Sequence, residues 1–574
     1  MRTLFFTLLS ILLSSVCLMS CSDDKGKMPR LFRPSFIASS CFAEGNTINL
    51  AWRTSGEPTS YTVEIAEDSI FSEDTKKSQT VTGGKCIFEN LKYETPYYVR
   101  VRANNEAMQL VSNWTVYEST VSTLARIVPK LLCPIDETNI TENTVRLEWA
   151  GVNEQNPADG LMLWTENEME TGTGGLQIEL SATEASAESY QLTGLSPRTV
   201  YYVALTNSAA PEGAESYNIR RFRTGGIPQG AITVADGAEL FAKIQAGMED
   251  DSQSELIFCL QNGKDYYLNE NGAADGKTGT IALTKSIFLL ANPGEHPTVY
   301  IREGGFQVGD NPHIDYFTVE NIDIEENQPQ NSRGSKTYLF SVGKRSAGEN
   351  FTIDRFEIIN AAIMLPTSVI MMNESNDGIA TINHINIDNC LVTGINDTKL
   401  VTKQFGFIHA PKKGGNVWND VRVSNSTFYE FYISPGVFGS LTANATIAEG
   451  GSASISNCTF YNWATSKASY TAIGDFSEIT TPLNLTINAC VFGYSEGKVL
   501  DAGSCNVSNK NNYCTSDFEQ LSNPGITLVA LEHSDADLFQ DAPSGNFTII
   551  DGASVVYQQE YGDPRWIGID ADFN

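Results

Sequence analysis

The sequence predicts an all-β protein: two antiparallel β-sandwiches followed by a right-handed parallel β-helix with an N-terminal capping helix. Three observations predict it. Between residues 35 and 225, short runs of alternating apolar and polar residues are separated by turn-forming segments, and the pattern occurs twice. At Asp236–Ile244 the apolar spacing becomes that of a helix, with Asp236 placed to cap it. From Val319 onward a two-strand unit recurs every 32–36 residues, which is how a solenoid reads in sequence.

The first twenty residues carry Met1-Arg2 and then an apolar run from Leu4 to Leu18, too short to span a bilayer comfortably. The run ends in Leu18-Met19-Ser20-Cys21, which resembles the lipobox of bacterial lipoproteins. That resemblance implies cleavage before Cys21 and acylation of its thiol. The acidic Ser22-Asp23-Asp24-Lys25 directly after it resembles the export tag of Bacteroidetes surface lipoproteins. Residues 1–20 are thus read as a signal peptide and 21–34 as the acylated cysteine and a linker. The expected location is the outer membrane, lipid-anchored and facing the exterior, and more than one acyl chain makes such an anchor stable.

Residues 35–125 contain Thr47–Trp52, Ser60–Ala66 and Leu91–Ala103 as strand-like runs. The placement of Trp52, Leu91 and Tyr98 resembles a fibronectin type III module. The same grammar returns over residues 129–225, with Val145–Trp149 as the tryptophan strand and Leu192–Val203 around the corner. The resemblance implies two such sandwiches with Trp52, Trp149, Tyr98 and Tyr202 in their cores. On this reading both modules are spacers.

Residues 231–574 form the predicted β-helix. One repeated strand begins at Val319, Ile353, Ile387, Val423, Ile455, Ile487 and, more weakly, Val507. A second keeps pace at Leu339, Val369, Phe405, Gly436, Tyr470 and Val499. Stacked coils would align Asn321, Asn389, Asn425, Asn457 and Asn509 as an amide ladder, with Arg355 and Ala489 as breaks. These coils, the capping helix and the terminal Gly562-Asp563-Pro564-Arg565-Trp566-Ile567-Gly568 resemble uncharacterised pectate-lyase-like domains of Bacteroidetes polysaccharide-utilisation lipoproteins.

A formal net charge of −31 argues against nucleic acid as a partner. Beyond Cys17 and Cys21, nine cysteines remain, without metal spacing, and they read mostly as small buried apolar groups. Cys505 and Cys514 are close enough in sequence to pair. The aspartate clusters of pectin hydrolases and the motifs of pectate lyases are absent, and none of the five histidines pairs with an evident nucleophile.

The remaining signal is a set of polar loops after the second strand of each coil. Lys344, Arg345, His409, Lys412 and Lys413 would meet acidic groups of a glycan, while Trp418 or Trp463 would stack on a sugar face. Solvated loop charges and a turn-plugging Trp418 account for the same residues. The leading functional expectation is a non-catalytic surface protein that binds a pectin-like polysaccharide and passes it to a neighbouring outer-membrane transporter. A calcium-assisted polysaccharide lyase with Lys412 or Lys413 as base is the alternative, and an adhesin or structural stalk the third.

Overall fold

The computed structural model describes residues 30–573 except 211–212, 275–278, 303, 327–336, 365–367, 373–376, 395–405, 411–415, 431–436, 440–444, 465–469, 478 and 480. Cys21, Lys412 and Lys413 lie outside the described residues. The chain divides into two units, Met1–Ile127 and Val128–Asn574. Among the described residues no helix is long and apolar enough to cross a membrane.

In the first unit, strand Thr47–Arg53 pairs antiparallel with Ser35–Phe36, Phe42–Glu44 and Lys85–Phe88, making one sheet. Strands Ser60–Ala66, Lys77–Val81 and Pro96–Asn105 form the other, with short edge pieces. Trp52 (3 % exposed), Leu91 and Val99 pack between the sheets. Strand Pro96–Asn105 alternates strictly, so it is Tyr97 that points inward, its hydroxyl accepting the Lys92 N–H at 3.2 Å. Tyr98, expected in the core, is one residue along and only half-buried. A slip of one position exchanges the faces of a strand.

The second unit opens with another antiparallel pair of sheets. Thr144–Glu148 pairs with Ser189–Thr193, and Gly160–Thr165, Leu176–Glu179, Val200–Thr206 and Ser216–Arg223 form the second sheet. Trp149 is buried and donates its indole N–H to the Ala185 carbonyl at 3.0 Å. Here too the inward tyrosine is the neighbour of the expected one. The Tyr201 hydroxyl accepts the Ser196 N–H at 2.9 Å, and Tyr202 faces outward, half-buried.

The rest of the unit is a parallel β-helix. Its described residues form three parallel sheets of ten, ten and eight strands, eight complete coils each contributing one strand to each sheet. Helix Leu240–Glu249 closes the first end, burying Leu240, Phe241, Ile244 and Met248, and Asp236 caps the turn before it. Like residues stack from coil to coil inside: Phe428 on Phe460 at 5.3 Å, and Phe460 on Phe492 at 5.1 Å, ring planes nearly parallel. Cys390, Cys458 and Cys490 lie fully buried in the same core, and all nine described cysteines are free thiols, Cys505 and Cys514 included.

The asparagine ladder is partly different from the expected one. Val319 pairs in register with Ile358, not Ile353, so the next rung is Asn360 rather than Arg355. Asn360 donates to Asn321 at 2.9 Å, and Asn389 donates to Asn360 at 2.8 Å. Asn425 donates instead to Asp388 at 2.8 Å. The last rung is Asn511, whose φ of 55° matches Asn321, Asn360, Asn389, Asn425 and Asn457, while Asn509 lies on the preceding strand. Asparagine suits these left-handed turns because its short amide tolerates positive φ.

The C-terminal segment Gly562–Trp566 runs back along the side of the coils, bonding to Asn389, Thr427 and Thr459. Buried Asp563 accepts from Thr427 at 2.8 Å, and the Trp566 indole donates to the same hydroxyl at 2.7 Å. This terminal motif is therefore structural.

Candidate functional site

The first sheet of the β-helix carries an irregularity in four successive strands. Strands His313–Glu320, Phe351–Ile359, Ala380–Asp388 and Asn416–Ser424 each hold two consecutive residues outside the core. These are Asp315-Tyr316, Asp354-Arg355, Asn383-His384 and Asn419-Asp420. An ordinary strand alternates, so a doubled outward position bends it and re-aims the side chains beyond it. The first members of three pairs are linked, Asn383 donating to Asp354 at 2.9 Å and Asn419 to Asn383 at 2.7 Å.

Beyond the bend, register places three rows of side chains along the helix axis. The first row is Tyr316, Arg355, His384, Asp420 and Ser452. The second is Thr318, Glu357, Asn386, Arg422 and Ser454, and the third Glu320, Ile359, Asp388, Ser424 and Ser456. The first two rows floor a cleft of about 1520 Å³. Its basic side chains stand open to solvent, with exposures of 56 % for Arg355, 62 % for His384 and 68 % for Arg422. Its acids are held more tightly. Asp420 accepts from Ser452 at 2.7 Å and from Arg422 at 3.3 Å, and Glu357 accepts from Thr318 at 3.2 Å. Arg355 lies over the Tyr316 ring at 5.7 Å. Burial and a hydrogen bond to Glu255 push the Tyr316 hydroxyl well above its ordinary pKa, keeping it a neutral donor.

The second antiparallel module forms a side wall. It grips the third row through charges: Arg198 meets Glu320 at 2.9 Å, Arg223 meets Glu320 at 3.2 Å, and Arg221 meets Asp388 at 2.7 Å. Both acids are nearly fully buried, so these pairs are obligatory partners rather than surface decoration. Beside them, His296 bridges Glu137 of the module (2.9 Å) and Asp323 of the helix (3.0 Å). Burial opposes a charge on His296, but bonds to Asp323 and Glu137 and their charges prevail, raising its pKa to about 9. Lys130, 1 % exposed, reaches Glu560, and Arg220 donates to the Gly568 carbonyl at 2.8 Å. The short helix Glu166–Thr171 leaves the module over this edge, where Glu166, Met169 and Glu170 face the cleft with Tyr202.

The described residues among those singled out from sequence, Lys344, Arg345, His409, Trp418 and Trp463, do not line this cleft. Lys344 is exposed elsewhere, and Arg345 is half-buried, donating to the carbonyls of Val308 and Val342 at 2.8 Å. His409 is buried in the third sheet. Trp418 is wholly enclosed, stacked on Phe438 at 5.9 Å, and Trp463 is enclosed with its indole donating to the Lys498 carbonyl at 2.8 Å. Neither presents a face to a sugar. The residues that do form the cleft floor were signalled only by adjacent polar pairs inside otherwise alternating strands.

As for metals, His313, Asp315 and Asp354 bring three ligand atoms within 4.8 Å of one another at the open margin of the floor. Calcium takes oxygen ligands, so an imidazole in the set does not suit it.

A family model described as the fibronectin type III domain matches residues 34–116, and one described as a domain of unknown function, DUF5123, matches residues 453–566. The chain thus has an N-terminal fibronectin type III domain, and its last coils and terminal motif are similar to a domain of unknown function. Among solved structures it is similar to a two-domain fibronectin type III segment of chicken tenascin, at 17 % identity over 34 % of this chain and 100 % of that one, TM-score 0.18. It is also similar to the FN1–FN3 domains of chicken CNTN1, at 19 % identity over 34 % of this chain and 69 % of that one, TM-score 0.15.

Proposed function

We propose that this chain is a non-catalytic polysaccharide-binding protein of the cell surface, anchored to the outer membrane through Cys21, and that its ligand is a pectin-like glycan. The observation that carries the reading is the cleft itself. It is long, open and polar, runs along the stacking axis of a parallel sheet, and presents two exposed guanidiniums, Arg355 and Arg422, two coils apart. Coils succeed one another about every 4.8 Å, about the length of one sugar in an extended chain, so successive sugars meet successive coils. Guanidiniums bind carboxylates in pairs of hydrogen bonds, and Tyr316, Tyr202, Asn386 and Ser454 offer partners for hydroxyls. On this reading the glycan passes next to a neighbouring outer-membrane transporter, and the second module has the fibronectin type III fold of the first.

Native affinity electrophoresis of the purified chain through gels carrying plant and host polysaccharides tests the reading. Retardation in a pectic gel with the glycan left intact is expected. Clearing of the gel and an unsaturated product would mean a lyase instead, and free migration in every gel would favour an adhesin or stalk.

A further inference from the structure

Resting on the glycan reading of the cleft, we infer that the ligand is an alternating polysaccharide, with one acidic sugar and one neutral sugar per repeat, and not a polymer of uronate alone. The spacing of the cations comes first. Arg355 and Arg422 lie on strands two coils apart, since Arg355 pairs with His384 on the intervening coil and Asn386 of that coil pairs with Arg422. Two coils span about 9.6 Å along the axis, the length of a disaccharide in an extended chain rather than of a single sugar, and the long side chains of Arg355 and Arg422 bridge the two-residue sideways step between their rows.

Charge balance comes second. Each guanidinium has an acid on its own strand: Arg355 lies 3.7 Å from Glu357, and Arg422 lies 3.3 Å from Asp420. Across these three coils the floor therefore offers a guanidinium on the first and third only, each sharing an acid, and none on the coil between. The third observation is the wall. On the third-row side, where Arg221 joins Asp388 and lies 3.7 Å from Glu166, the helix Glu166–Thr171 presents Glu166 and Glu170 to the cleft. An extended uronate homopolymer turns successive carboxylates to opposite edges, and every second one would meet Glu166 and Glu170, on a side whose Arg198, Arg221 and Arg223 are already paired with Glu320, Asp388 and Glu166. An alternating chain turns its acids to one edge, toward the guanidiniums, and its hydroxyls to the other, where glutamates accept them.

Isothermal titration of the full chain, at low salt with a calcium chelator, compares three probes: a rhamnogalacturonan backbone of alternating galacturonate and rhamnose, polygalacturonate, and a neutral galactan. The alternating polymer is expected to bind at least about tenfold more tightly than either of the others. Replacing both wall acids (Glu166→Gln with Glu170→Gln) is expected to raise polygalacturonate affinity severalfold at an unchanged melting temperature. Equal or tighter binding of wild type to polygalacturonate overturns the alternation while leaving the glycan reading in place, as does equal binding of the galactan. Binding of none of the three removes both.

Discussion

At the scale of single residues, the decisive feature is how charges are paired at the edge of the cleft. Asp388 is 7 % exposed in its side chain and takes Arg221, Ser424 and Asn425 as partners. Arg221→Ala leaves a buried carboxylate with two neutral donors, and it is expected to cost about 2–3 kcal/mol in chemical denaturation, below the range for a fully enclosed pair because Arg221 is partly exposed. Asp388→Asn in the same chain should restore most of that loss. His296 adds a pH dependence of definite sign. Its folded pKa of about 9 stands above the ordinary value of 6.5, so its contribution is complete below about pH 6.5 and is lost as pH rises toward 9. The loss amounts to about 3 kcal/mol, and His296→Gln should flatten the stability profile over that interval. None of these pairings is legible in sequence, because Glu137, His296 and Asp323 are brought together only when the module docks on the helix.

At the scale of elements, periodicity carries most of the fold and fails at identifiable places. The alternating strands, the capping helix and the repeat were legible because burial on one face imposes a period on apolar residues. The register of one coil was not. Strand Phe351–Ile359 has two apolar stretches separated by Asp354-Arg355, and either half satisfies the repeat motif. The same adjacent polar pair that obscures the register is what builds the cleft floor, so Arg355 reads as a broken rung when it is a floor residue. The tyrosine pairs Tyr97-Tyr98 and Tyr201-Tyr202 posed a similar ambiguity, since composition cannot say which member faces inward. Trp418 and Trp463 drew attention as aromatics near polar loops, yet large aromatics mostly serve the core, as these do. The turns make one prediction. Ala489 holds a φ of 55° where six other coils place asparagine. Ala489→Asn is expected to stabilise the chain by about 1 kcal/mol, because asparagine tolerates that conformation better and its amide can join the row. A rise in denaturation midpoint with unchanged cooperativity would show it.

At the scale of the whole molecule, the second module is more than a spacer: it is joined to the β-helix by buried ion pairs and supplies a wall of the cleft. Stacked coils provide a floor with a fixed step, and the module bounds it on one side. The measurement that tests this most directly is affinity electrophoresis in a pectic gel of three proteins: wild type, the double variant Arg355→Ala with Arg422→Ala, and the loop variant Lys344→Ala. Loss of one guanidinium–carboxylate contact costs about 1.5–3 kcal/mol, about tenfold or more in affinity, so the double variant should migrate almost freely while Lys344→Ala is retarded like wild type. A double variant retarded as strongly as wild type would contradict the account and move the binding surface away from the cleft.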